Sequence, residues 1–338
     1  MRCRGAIIGG VGFKAEVCVY FHLRPVMFSR IIDVTLINRS LVTHFNLGEA
    51  MVEIKELEEI SRKIRRDIMV MLAEAGSGHS GGSLSAVETL VALYWNILKH
   101  DPKNPAWEGR DWFVLSKGHA CPVLYAVLAA WGYFPRKELW TLRKLDTILQ
   151  GHPHRLKTPG VEFSTGSLGQ GLSLATGAAM GLKRQGKSNS VFVLTGDGEQ
   201  TEGAIWEAGM TAAHYRLDNL CAICDRNYLM IDGNTEEVMG LDPLSDKWRA
   251  FNWHVIEIDG HDLRQMTYAY ERFLLEKNHP TMIIANTIKG KGVSFMENQA
   301  DWHGAVPKKG EQVQQALADL GFAAPWAEYM KHDFDWVG

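Results

Sequence analysis

Leu57, Ile60, Ile64, Ile68 and Leu72 recur three and four residues apart, and lysine, arginine and glutamate fill most of the positions between them. That spacing draws one apolar stripe along a helix with a charged opposite face, so a helix is predicted to begin soon after Met51. From about residue 80 the pattern predicts a series of helices joined by glycine-rich connections. Beyond residue 190 it changes. Val191 to Thr195, Leu220 to Cys224, His254 to Ile258 and Thr281 to Ile288 are short apolar-rich runs, of the length expected of buried strands. Ala204 to Tyr215 and Asp262 to Glu276 keep helical spacing between them. Strands alternating with helices predict an α/β fold, a doubly wound and mostly parallel sheet with helices on both faces. Its ligand crevice is expected at the carboxyl ends of the strands.

Residues 1–50 hold neither the strand nor the helix period. They are read as an over-extended reading frame ahead of a start at Met51, or as a mobile arm. One domain is expected over 51–310 and a helical tail over 311–338. Gly9-Gly-Val-Gly12 lacks the full GxGxxG pattern and the helix and acidic residue that a dinucleotide loop needs. The apolar stretch after Arg2 and Arg4 is too short for a secretory signal, with Lys14 and Glu16 following at once.

Composition narrows the classes. A chain of 338 residues with 46% hydrophobic and 22% charged residues is an ordinary globular protein. A net charge of -3 gives no broad basic surface for nucleic acid. No apolar run approaches the roughly 18 residues needed to cross a bilayer, so the chain is read as soluble, with no membrane partner. Five irregularly spaced cysteines make no disulfide framework and point to the reducing cytoplasm. Cys221 and Cys224 form a CxxC inside a predicted strand, where alternation sends the two sulfurs to opposite faces, as core residues and not zinc ligands.

The candidate chemistry sits at the predicted strand ends. Gly196-Asp-Gly198 follows one strand directly, placing a carboxylate between two residues that admit close backbone approach. Alone it reads as a capped strand-to-helix turn. The next strand leads into Asp225-Arg-Asn227, and one crossover unit would set Asn227 beside Asp197 if the strands are neighbours. A carboxylate, an amide oxygen and a nearby backbone carbonyl would then form part of a shell for magnesium or calcium, open to diphosphate oxygens. Histidines recur beside glycine in Gly78-His79, Gly118-His119, Gly151-His-Pro-His154 and His303-Gly304. Such imidazoles, if they converge, suit a polyol substrate and proton transfer near neutral pH.

Eight motifs run in the order of a transketolase: GSGHSGG (Gly76 to Gly82), LSKGH (Leu115 to His119), GHP (Gly151 to Pro153), STGSLGQG (Ser164 to Gly171), GDGEQTEG (Gly196 to Gly203), DRN (Asp225 to Asn227), TIKGKGVSFMEN (Thr287 to Asn298) and WHGAVP (Trp302 to Pro307). Over about residues 55–310 the chain resembles the thiamine-diphosphate-binding half of that family. The resemblance implies that Asp197, Asn227 and the carbonyl of Leu229 bind a divalent metal (Mg2+, or Ca2+ or Mn2+) bridging the diphosphate, with Gly198 against the phosphate. It places His119 and His303 near the diphosphate and the reacting centre. It gives His79 and His303 to the acceptor sugar and proton transfer, and His152 to the donor's first hydroxyl. Gly166, Ser167 and Leu168 would meet the pyrimidine side, and Glu202 would communicate across a subunit interface.

Ser80 and Ser167 stand where many relatives have proline, a change in loop stiffness more than in chemistry. Lys117 stands where many have asparagine, and either strengthens anion binding or points into solvent. A full transketolase continues into pyrimidine-binding and C-terminal domains, so the resemblance implies a split enzyme whose C-terminal subunit is a separate chain. The expected assembly is a heterotetramer, since closed symmetric assemblies dominate. The implied reaction is transfer of a two-carbon ketol unit from a ketose phosphate to an aldose phosphate, as in the pentose phosphate pathway. The alternatives are a specialised sugar transketolase, a deoxyxylulose phosphate synthase-like protein, a two-oxo acid dehydrogenase subunit, or a cofactor-binding subunit without catalysis. Fold analogy alone would support a nicotinamide dehydrogenase.

Overall fold

The computed structural model describes residues 51–331. The expectations for residues 1–50, including Gly9 to Gly12, and for the last seven residues of the tail lie outside these described residues.

In chain order the helices are α1 (Ile54–Ala75), α2 (Gly81–Ser85), α3 (Val87–Asn96), α4 (Cys121–Ala130), α5 (Gln170–Arg184), α6 (Gly203–His214), α7 (Thr235–Val238), α8 (Leu244–Ala250), α9 (Leu263–Leu275), α10 (Glu311–Asp319) and α11 (Trp326–Tyr329). The strands are β1 (Trp112–Leu115), β2 (Val191–Gly196), β3 (Leu220–Arg226), β4 (Leu229–Met230), β5 (Gly233–Asn234), β6 (His254–Asp259) and β7 (Thr281–Asn286). Five of them form one sheet in the order β1-β2-β3-β7-β6, with every pairing parallel. The antiparallel β4–β5 hairpin stands apart.

Helix α1 follows the predicted stripe: Leu57, Ile64, Ile68 and Leu72 are fully buried. It stops at Gly76, whose left-handed backbone (φ 66) lets its N–H donate to the Leu72 carbonyl. The central strands are continuous apolar runs because helices cover both faces. Phe192, Leu194, Cys221, Ile223, Ile283 and Ala285 face the core built with α1, α3, α4 and α9. Val191, Val193, Ala222, Cys224, Met282 and Ile284 face α5, α6 and α8. Cys221 and Cys224 therefore do lie on opposite faces, both buried and free.

Two elements depart from the sequence reading. Trp112–Leu115 falls within the stretch read as helices and loops, yet it is strand β1, paired to β2 from Trp112↔Val191 to Leu115↔Leu194. Four residues are too few to show a period. Its placement is tertiary: the Asp111 carboxylate accepts the N–H groups of Lys99 and Ser190 at 3.0 and 2.7 Å and draws the strand onto the sheet. The β4–β5 hairpin is likewise absent from the sequence pattern, being two residues per strand after a left-handed Tyr228 (φ 62). Helices α10 and α11 pack on α1 through Val313, Leu317 and Tyr329 against Val70 and Ala73. No helix of the described residues is long and apolar enough to cross a membrane.

Candidate active site

The carboxyl ends of β1, β2, β3 and β7 deliver Lys117, Asp197, Asn227 and Lys289 to one cleft. Its floor is the buried Asp225, next to the end of β3. Lys117 Nζ pairs with Asp225, Ser85 Oγ and Asn227 Nδ2 donate to it at 2.7 and 3.0 Å, and the Thr287 hydroxyl donates to its other oxygen. One carboxylate thus gathers α2 and the segments after β1, β3 and β7. Burial would push its pKa up, but the Lys117 ammonium and the hydroxyl donors hold it below the ordinary value.

Glu199 gathers the rest. It accepts hydrogen bonds from the Ser116 hydroxyl, from Gly169 N–H at 2.8 Å and from Gly196 N–H at 3.0 Å. The LSKGH, STGSLGQG and GDG segments are tied together there. The glycines are steric necessities at two positions. A Cβ on Gly171 would lie 2.2 Å from Ser116 Oγ, and one on Gly169, already at φ +83, would lie 2.7 Å from Glu202 Cβ.

Asp197 and Asn227 are brought together as expected, because Gly196 pairs with Asp225 across neighbouring strands. Asp197 Oδ1 accepts Gly198 N–H at 2.7 Å and Oδ2 accepts Tyr228 N–H at 2.6 Å. Asn227 Oδ1 accepts Leu229 N–H at 3.2 Å, and the Leu229 carbonyl accepts Lys289 Nζ at 2.7 Å. Burial, reinforced by the Asp225 charge, raises Asp197 to about 6. A carboxylate destabilised in this way, beside an amide oxygen and a main-chain carbonyl, fits a hard divalent cation that would offset the repulsion. Among the described residues no three His, Cys, Asp or Glu cluster as metal ligands, so any such ion would rest on this mixed oxygen set.

The imidazoles of His79, His119 and His303 also converge, with ring centroids 5.1 Å (79–119), 5.8 Å (79–303) and 5.2 Å (119–303) apart. Burial lowers all three, to about 4, 2 and 3 respectively. Nearby Arg143, Lys117 and Lys289 add to the depression. All three rings are neutral at pH 7, each able to donate and accept.

Gly166, Leu168, Gly198, Glu202 and Leu229 line the same cleft. His152 and Ser167 do not. His152 is exposed beside Gly166, where a Cβ would come within 3.3 Å of its ring, and Ser167 is exposed between two lining residues. Of the two readings of Lys117 the structure removes one: the residue is 1% exposed, so it does not point into solvent. Its ammonium is committed to Asp225 beneath the cleft. Ser80 does more than loosen a loop, since its hydroxyl donates to the Ala305 carbonyl at 2.8 Å and ties GSGHSGG to WHGAVP.

Sequence reading missed Asp225, Glu199, Lys289 and Arg143. Lys289 is buried, donates to both Leu229 O and His303 Nδ1 (2.8 Å), and is lowered to about 8 by burial and the Lys117 charge. Only the apolar strand ahead of TIKGKG hinted that this lysine would be carried inward. Arg143, exposed and left-handed (φ 62), brings positive charge beside His79 and His152, and nothing in its sequence context marks it.

A parallel α/β sheet with a polar, histidine-rich crevice at its strand ends defines the class as an α/β domain built to hold a ligand at that edge. Residues 57–333 match the family described as transketolase, thiamine diphosphate binding domain. The chain is 47% identical over 248 residues to the 6-deoxy-6-sulfo-D-fructose transketolase subunit SqwG of Clostridium sp. (strain MSTE9), covering 73% of this chain and 90% of that protein. It is 45% identical to an apulose-4-phosphate transketolase subunit of Actinobacillus succinogenes, over 78% of this chain and 96% of that one. The solved transketolase of Campylobacter jejuni superposes with a TM-score of 0.76 at 34% identity, over 80% of this chain but only 43% of its own. This chain belongs to the transketolase family.

Proposed function

We propose that this chain is the thiamine diphosphate-holding subunit of a two-chain, cytoplasmic transketolase that moves a two-carbon ketol unit from a ketose to an aldose, each carrying an anionic group. The observation that carries the reading is the meeting, in one cleft, of the Asp197–Asn227–Leu229 oxygens with three neutral imidazoles.

Asp197, the Asn227 amide oxygen and the Leu229 carbonyl would hold magnesium, or calcium or manganese, with Gly198, His119 and Lys289 facing the diphosphate. When bound, thiamine diphosphate supplies the carbon nucleophile and electron sink for making and breaking the carbon–carbon bond. The chain's residues position substrate and move protons. His79 and His303, uncharged at neutral pH, take or give a proton at a substrate hydroxyl without first losing one to solvent. His152 holds the donor's first hydroxyl, Gly166, Ser167 and Leu168 meet the pyrimidine, and Glu202, at the start of α6, faces the subunit interface. The rest of the site would come from a separate chain bearing the pyrimidine-binding domain, in a heterotetramer. Residues 51–310 are proposed as the functional domain, with 311–338 as its tail.

The test is ketol transfer from xylulose 5-phosphate to ribose 5-phosphate, with thiamine diphosphate and magnesium, by the chain alone and with its candidate partner. Activity only in the mixture is expected, and turnover by the chain alone would overturn the two-chain reading. The high identity to relatives named for sulfofructose and apulose 4-phosphate supports a second reading, a specialised sugar transketolase. The same assay with those two ketoses separates it from a pentose phosphate role.

A further inference from the structure

His261 lies outside the cleft, after β6, and both of its ring nitrogens are engaged. Ile288 N–H donates to Nε2 at 2.8 Å, and Nδ1 lies 2.9 Å from Glu88 Oε2. A backbone N–H can only donate, so Nε2 is bare and the proton of the neutral ring sits on Nδ1, pointing at Glu88. Arg65 grips both oxygens of Glu88 at 2.6 and 2.7 Å, and its Nε donates to the Lys291 carbonyl at 3.0 Å. The main chain on either side of Lys289 is therefore fixed to one buried cluster. Gly290 N–H donates to Gly81 O at 3.1 Å, and the Lys289 stem crosses Gly81 so closely that a Cβ there would lie 2.8 Å from its Cγ. At the far end the ammonium donates to His303 Nδ1 at 2.8 Å, which leaves the His303 ring proton on Nε2.

We propose that His261 is a positioning residue which, as its Nδ1–H tautomer, sets the track of residues 288–291 and so places the Lys289 ammonium that fixes the tautomer of His303. The charged and titratable groups facing His261 are Glu88, through it Arg65, and Asp259, whose carboxylate accepts the His261 main-chain N–H at 2.9 Å. Those facing His303 are Lys289, His79, His119 and Lys117. The proposal rests on the proposed function only in treating His303 as a residue that handles substrate protons.

The test is the long-range 1H–15N imidazole spectrum of the labelled chain at one pH, 7.5, without cofactor, metal, sugar or partner, so a failed turnover assay and a failed proposal remain separate results. His261→Gln and His303→Asn assign the two rings. In the native chain both rings are expected neutral, His261 protonated at Nδ1 and His303 at Nε2. His261→Asn, too short to reach Glu88 and Ile288 at once, is expected to turn the His303 signal into a mixture of tautomers. In the assembled enzyme it should weaken thiamine diphosphate binding by about tenfold, the scale of losing an outer-shell partner. His261→Gln, whose amide spans both partners, is expected to restore both readouts. A folded His261→Asn with His303 still wholly at Nε2–H overturns the proposal. So does a native His261 protonated at Nε2 or at both nitrogens, a result that needs no variant to fold.

Discussion

At the residue scale the site is organised by two buried carboxylates, Asp225 and Glu199. Asp225 carries the Lys117 ammonium and three neutral donors with essentially no solvent contact. Removing its charge strands a buried cation, which is far costlier than removing an exposed ion pair. Asp225→Asn is accordingly expected to lose about 3–5 kcal/mol in urea unfolding, and an unchanged midpoint would show that Lys117 finds another partner. The sequence exposed Asp197 and Asn227 because glycines and strand ends frame them. Asp225 and Glu199 were not legible as hubs, since their partners Ser85, Thr287, Ser116 and Gly169 are dispersed along the chain and meet only after folding.

At the element scale, long periodic segments were readable and short ones were not. Helix α9 begins at Leu263, with the Asp262 side chain accepting Arg264 N–H at 2.8 Å as its cap, within a residue of the expected start. Strand β1 was invisible because four apolar residues carry no period, and only its pairing with β2 defines it. The join between β1 and α5 is correspondingly tight: Gly171, in the first turn of α5, faces the Ser116 side chain and backbone just past β1. Gly171→Ala forces those segments apart, and a loss of about 1–3 kcal/mol is expected from overpacking. Thermal unfolding of the variant measures it, and a Tm equal to or above the parent's would contradict the packing argument.

At the scale of the whole molecule, the pH dependence of stability sums over the cleft. His79, His119 and His303 titrate at about 4, 2 and 3 in the fold, against roughly 6.5 in an unfolded chain. Below pH 6.5 the unfolded state therefore binds more protons, and the stability these rings contribute above that pH is lost on acidification. Asp197, raised to about 6, works the other way between pH 6 and its ordinary value, and Lys289, lowered to about 8, contributes its pH dependence above 8. Glu199, also in the cleft and raised by burial, acts in the same sense as Asp197, so three imidazoles oppose two carboxyls in the acidic window, and Tm measured without metal or cofactor is expected to be lower at pH 5.5 than at 7.5. A flat profile would mean that the rings are not buried together. The chain's pattern and motifs, taken alone, determined the α/β class, the alternation after residue 190, the family and most of the cleft's residues, because periodicity and strand-end glycines are local properties. Tertiary structure alone decided that Lys117 turns inward, that β1 joins the sheet and that Lys289 reaches His303. Those outcomes depend on which distant groups share a buried volume, where an unpaired charge or polar group costs more than any local preference can offset.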